Sequence, residues 1–110
     1  MRKSPNIEQQ TIKKQRIMKY YLASIKRTSK KDKFITFWCD NDCGYTYIFE
    51  LFGDYSAIEP GYHDSEDTKP IPVEVVMNIK TFNSTEHCFV VLNTEANRKI
   101  LGITLNKETE

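Results

Sequence analysis

At 110 residues the chain is long enough for one domain with a single core, and 39% hydrophobic with 28% charged residues is a globular balance that excludes intrinsic disorder. No run approaches the ~20 apolar residues of a membrane helix, no apolar stretch follows the basic start as a signal peptide requires, and three cysteines, an odd number, speak against a disulfide framework. Net charge is only +1, yet residues 1–33 hold eleven Lys and Arg against Glu8 and Asp32, while residues 34–110 hold five against thirteen acids. Such asymmetry fits a basic arm for nucleic acid, a membrane surface or an acidic partner, or else a solvated face that balances an acidic body.

Asn6 followed by Gln9 resembles a capping box and predicts a helix over 7–17 with a thin apolar stripe of Ile7, Ile12 and Ile17. Residues 1–18 therefore read as a basic N-terminal helix or arm, 19–103 as the core and 104–110 as a tail of one domain, 1–110. Alternation across Tyr20, Tyr21, Leu22, Ala23, Ser24 and Ile25 predicts a strand over 20–27. A helix continued to Ile25 is the rival, because Ile17, Tyr21 and Ile25 also recur every four residues. Thr28 to Asp32 is polar and turn-like, and 33–39 is β-branched and aromatic, so the two strands form an N-terminal hairpin.

Asp40-Asn41-Asp42-Cys43-Gly44 is a loop in which Asp and Asn fold back onto backbone amides and Gly44 supplies a positive φ. Residues 45–52 form a third strand ended by Gly53-Asp54. Residues 56–70, with Pro60, Gly61, His63, Pro70 and several acids, read as an exposed, mobile connection. Pro72 opens a short helix over 73–80, although Val73, Val75 and Val76 pull toward strand. Residues 88–92 form a short buried strand. Asn93 or Thr94 caps a helix over 95–101, with Gly102 as its stop. The fold class is α+β: a small, mainly antiparallel sheet with an N-terminal hairpin, flanked by two or three short helices.

Chemistry-bearing residues are few. Cys39 and Cys43 have a C-x3-C spacing, with His63, His87 and Cys88 downstream, but zinc needs four converging ligands. Adjacent His87 and Cys88 point to opposite faces of a strand, so ordinary buried thiols are the better reading, and no metal or cofactor is expected. Cys43 with His63 or His87 as base lacks any family signature for nucleophilic catalysis. Asp40 and Asp42 lack the spaced ligands of a calcium loop. Lys13, Lys14, Arg16, Lys19, Lys26, Arg27, Lys30 and Lys31 surround Tyr20 and Tyr21, so cations on phosphates with tyrosines on bases is a nucleic-acid reading, without a recognised motif.

The segments Phe34-Ile35-Thr36-Phe37-Trp38, Asp40-Asn41, Cys43-Gly44-Tyr45-Thr46, Gly53-Asp54-Tyr55, Pro70-Ile71-Pro72-Val73 and Asn93-Thr94-Glu95-Ala96-Asn97-Arg98 are similar to those of a phage family. Its members are small, largely uncharacterised proteins of bacteriophages, prophages and other mobile elements. The resemblance covers about residues 20–103 and favours the hairpin over one long helix. The chain departs from the family pattern at Cys39-Asp40, where Arg-Pro is usual, and at Leu51-Phe52-Gly53, where Trp-Ala-Gly is usual. The resemblance implies a phage-type accessory protein in the bacterial cytoplasm. The expectation is a non-enzymatic protein that binds a host protein or small ligand and counters a bacterial defence system, through Trp38, Asn41, Gly44, Tyr45, Tyr55, Asn93 and Arg98. The alternative is nucleic-acid binding by the basic N-terminal third.

Overall fold

The computed structural model describes residues 18–105. The predicted helix at 7–17, with Lys13, Lys14 and Arg16, lies outside the described residues.

Strand β1 (Tyr20–Ser24) is the organising element, and Leu22, Ala23 and Ser24 are buried on it. It stops at Ser24, short of the predicted residue 27, because side chains there satisfy the backbone. Arg27 N–H donates to Ser24 Oγ at 3.1 Å, and Thr28 Oγ1 donates to Ser24 O at 2.8 Å. The same Thr28 hydroxyl accepts Thr36 N–H at 3.0 Å, which fastens the end of β1 to the returning chain. Strand β2 (Phe37–Trp38) then pairs antiparallel with β1 through Ala23 and Phe37.

The predicted strand over 33–39 changes partner at Thr36. Its first half leaves β1: Ile35 N–H donates to Val91 O and Asn93 N–H to Lys33 O, both at 2.9 Å. Only its second half is β2. Strand β3 (Tyr45–Thr46) pairs with β2 and is far shorter than the predicted 45–52. Thr46 Oγ1 takes Ile48 N–H at 3.0 Å, removing it from the ladder, and a 3-10 turn follows at Phe49–Leu51. That turn plants Phe49 and Phe52 against Tyr21, with both ring pairs at 5.6 Å, and stacks Phe52 on Phe37 at 4.2 Å. Half-buried Tyr21 thus packs against these rings.

Strand β4 (Asp54–Tyr55) pairs with Tyr20 and Tyr21, so β2 and β4 lie end to end along one edge of β1. The opposite edge carries β5 (Thr68–Pro72) along its whole length. The sequence pattern places 68–70 in the exposed connection over 56–70 and Pro72 at the start of a helix, whereas the structure makes 68–72 a strand. Val73 N–H bonds Lys19 O and Ile25 N–H bonds Asp67 O, which fixes the register. In that register Pro70 and Pro72 turn their nitrogens away from β1, the positions where a strand tolerates proline.

Helix α1 (Val73–Ile79) follows directly, with Pro72 at the capping position and Val76 buried. Its valines form helix because Val75, Val76 and Ile79 cover the sheet, and packing outweighs their β propensity. Strands β6 (Thr81–Asn83) and β7 (Cys88–Val90) make a separate hairpin. Thr81–Asn83 is a strand the sequence reading lacks, and the predicted strand over 88–92 ends at Val90. Helix α2 (Glu95–Leu101) is capped by Thr94 Oγ1, which accepts Asn97 N–H at 3.1 Å. Gly102 at φ 73° ends it, with Ile103 N–H closing on Arg98 O at 3.0 Å. Ala23, Ile35, Phe37, Ile71, Val76, Val91, Leu101 and Ile103 form the core between helices and sheet. The architecture is α+β, with a curled antiparallel sheet, a second small sheet and two short helices among the described residues. No helix among them is long and apolar enough to cross a membrane.

Candidate functional site

The end of β2 carries Trp38, which is 5% exposed. Beyond it the chain reverses through a 3-10 turn at Asp40–Asp42, with Cys43 N–H on Asp40 O at 3.0 Å and Cys39 N–H on Gly44 O at 2.8 Å. Asn41 and Asp42 take left-handed φ values of 54° and 56°, and Gly44 takes 114°. Asn and Asp are the non-glycine residues that tolerate this region best.

The expected self-capping by Asp and Asn side chains is replaced by support from the next loop. The Tyr55 hydroxyl donates to Cys39 O and accepts Asp42 N–H at 2.9 Å. His63 Nδ1 accepts Glu59 N–H at 2.9 Å, so Nε2 carries the proton and donates to Asp42 Oδ1 at 3.1 Å. The 40–44 and 56–67 segments therefore form one corner. Gly53 makes the close approach feasible: its N–H donates to Trp38 O at 3.0 Å, and a Cβ there would lie 2.5 Å from Asp40 Cα.

Around Trp38 stand four rings. Tyr45, Tyr55, Tyr62 and His63 all meet it edge-on, with centroids 5.8, 6.2, 5.3 and 5.4 Å away. Tyr45 is 44% exposed and Tyr62 46% exposed, so the cluster has a buried centre and an open margin. The Trp38 indole Nε1 is buried and has no hydrogen-bond partner. Trp38, Tyr45 and Tyr62 also line a pocket of about 210 Å³ together with Lys26, Arg27 and Thr68. The Arg27 guanidinium lies over the Tyr45 ring at 4.3 Å. Among the described residues neither Lys26 nor Arg27 pairs with a carboxylate.

Of the predicted site residues, Trp38, Asn41, Gly44, Tyr45 and Tyr55 share this corner. Asn93 and Arg98 form a different set. Asn93 Nδ2 donates to Ser29 O and Asp32 O at 3.0 and 2.8 Å, and Arg98 Nη1 donates to Asn93 Oδ1 at 2.7 Å. Both side chains hold the 29–32 turn against the start of α2. Tyr62 was not among the expected site residues, and His63 entered only as a candidate metal ligand or base. Their signal was an aromatic pair directly after Pro60-Gly61, inside an otherwise acidic stretch.

Both His63 nitrogens are committed, so neither is free to take a proton from Cys43. Cys88 is buried, and burial together with Glu50 and Glu86 pushes its thiol above the ordinary value, away from reactivity. Among the described residues no group of three or more His, Cys, Asp or Glu side chains converges to hold a metal ion. No protein-family model, curated protein or solved structure matches the chain.

Proposed function

We propose that this is a non-enzymatic binding protein that holds a host protein or small ligand at the Trp38 corner. The phage resemblance gives the setting: an accessory protein acting in the bacterial cytoplasm against a host defence system. One observation carries the reading. Half-exposed Tyr45 and Tyr62 stand edge-on to a buried Trp38 whose N–H is unsatisfied, beside an open pocket. Tyr and Trp anchors of this kind dominate binding energy, and a rigid base makes their presentation inexpensive in entropy. The test is recovery of co-purifying material from bacterial lysate, identified by mass spectrometry, for wild type beside Tyr62→Ala. A species retained by wild type and lost in the variant supports the reading. Equal recovery, or none, counts against it.

A second reading is favoured by Lys26 and Arg27, which stand together without a carboxylate partner among the described residues. With Lys19, Lys30 and Lys31 they would continue a basic tract toward nucleic acid. Electrophoretic retardation of DNA or RNA that weakens steeply with salt supports it. Free migration of both at low salt removes it.

A further inference from the structure

We infer that the Trp38 pocket takes a mononucleotide-class ligand, one planar base joined through a sugar to a phosphate; this rests on the binding role proposed for the same corner. Three aromatic walls alone would also suit a quaternary ammonium, the usual guest of a Trp and Tyr cage. The charge decides otherwise. Arg27 already covers the Tyr45 face at 4.3 Å, and Lys26 lines the same space, so a second cation meets two like charges. An anion meets attraction from both cations, opposed by Asp67, which also lines the pocket, and by Asp42 and Glu59 near the Tyr62 ring.

The donors suit phosphate. The Arg27 guanidinium lies over Tyr45 with no carboxylate partner among the described residues, so its N–H groups can serve an anion. Ser65 Oγ accepts Asp67 N–H at 3.1 Å, which leaves the hydroxyl proton to donate. With the Tyr45 face taken by Arg27, half-exposed Tyr62 supplies the ring surface for the base. Size narrows the class further. At about 210 Å³ the space lies below the roughly 300–1,000 Å³ of sites that enclose a drug-sized molecule. One base would fit inside with its phosphate at the cationic margin, whereas a dinucleotide would project into solvent.

Trp38 is the single tryptophan of the chain, so its fluorescence reports on this pocket directly. The experiment titrates full-length protein with AMP, GMP, CMP and UMP, reading emission and, because the bases absorb, calorimetric heat in parallel. Ribose 5-phosphate and the four nucleosides are the controls. Saturable binding of at least one nucleotide, with its nucleoside and ribose 5-phosphate each about tenfold weaker or more, supports the inference. Arg27→Gln and Lys26→Gln, both on exposed positions, should each weaken that nucleotide by about three- to tenfold. Four outcomes overturn it: no heat with any nucleotide, ribose 5-phosphate binding as tightly as the nucleotide, both variants binding like wild type, or tight binding confined to oligonucleotides. If nucleotides fail while lysate retention still depends on Tyr62, the ligand class falls and the binding role stands. If Tyr62→Ala changes neither, both fall.

Discussion

His63 and Asp42, 21 residues apart, are joined by a single 3.1 Å hydrogen bond that closes the candidate site. The bond has a defined donor because Glu59 N–H occupies the other ring nitrogen. His63 is buried whereas the Asp42 side chain is 43% exposed, so the pair combines a fixed imidazole with a partly solvated carboxylate. His63→Ala removes this bond and leaves Glu59 N–H without its acceptor. The expected loss is about 1–3 kcal/mol in denaturant unfolding, with faster amide exchange at Asp42 and Cys43. An unchanged midpoint and unchanged exchange would show that the two loops hold without it.

Gly53 is required by proximity, not by an unusual φ. An added Cβ would sit 2.5 Å from both Asp40 Cα and Asp40 N and 2.6 Å from Cys39 C, all of them backbone atoms that cannot swing aside. Relief means separating β4 from the 39–40 segment, which also breaks Gly53 N–H to Trp38 O. Gly53→Ala should therefore destabilise by about 3 kcal/mol or more and disturb Trp38 emission. A variant as stable as wild type would contradict the close approach.

How much of this could be read from sequence depends on the range of the interaction. Helix α2 was legible because its cap, Thr94, and its stop, Gly102, are local signals adjacent to the helix they bound. The 40–44 turn and its aromatic flanks were legible for the same reason. Strand β5 was not, since its prolines are tolerated only because β1 lies on the side their nitrogens avoid. Nor was the division of 33–39, where Thr36 meets a Thr28 hydroxyl and the two halves find different partners. Tyr62 and His63 join Trp38 across more than twenty residues, and nothing in the local pattern encodes that encounter.

The tyrosines predict an alkaline limit. Burial, followed by the nearby Asp54, raises Tyr21 above the ordinary 10.0. Tyr55 is raised chiefly by burial, against the opposing effect of its bond from Asp42 N–H. A folded-state value above the unfolded one means that the native protein holds the phenolic proton more tightly. The resulting stability is complete below the unfolded value and is lost as pH climbs through the folded one. Unfolding free energy should hold steady up to about pH 9 and then decline. Tyr55→Phe should lower stability at neutral pH by about 1–2 kcal/mol through its lost bonds to Cys39 and Asp42. It should also flatten the alkaline decline. A slope identical to wild type would remove Tyr55 from this account.

Asn93 joins two otherwise separate turns. Its amide donates to Ser29 O and Asp32 O, while its oxygen accepts from Arg98. Asn93→Ala strips all three bonds and should cost about 2 kcal/mol, more than the ~1 kcal/mol expected for Thr94→Ala, which loses only the cap. Thermal unfolding of both variants gives the order. If Thr94→Ala is the more damaging, the 29–32 turn is held mainly by its own Ser29 and Asp32 contacts.

The prolines of β5 have a consequence at the sheet edge. With their nitrogens facing away from β1, Pro70 and Pro72 leave that edge without two of its outward donors. An edge strand bearing such donors is a template for pairing with another chain. Pro70→Thr restores one N–H and adds a β-branched side chain while leaving the bonds to β1 untouched. Monomer stability should change by about 1 kcal/mol or less, because the lost rigidity of proline in the unfolded chain is offset by strand propensity. Self-association should rise, read as concentration-dependent light scattering or sedimentation. If the variant instead self-associates no more than wild type but unfolds markedly more readily, Pro70 serves β5 by fixing its backbone and not by blanking its edge.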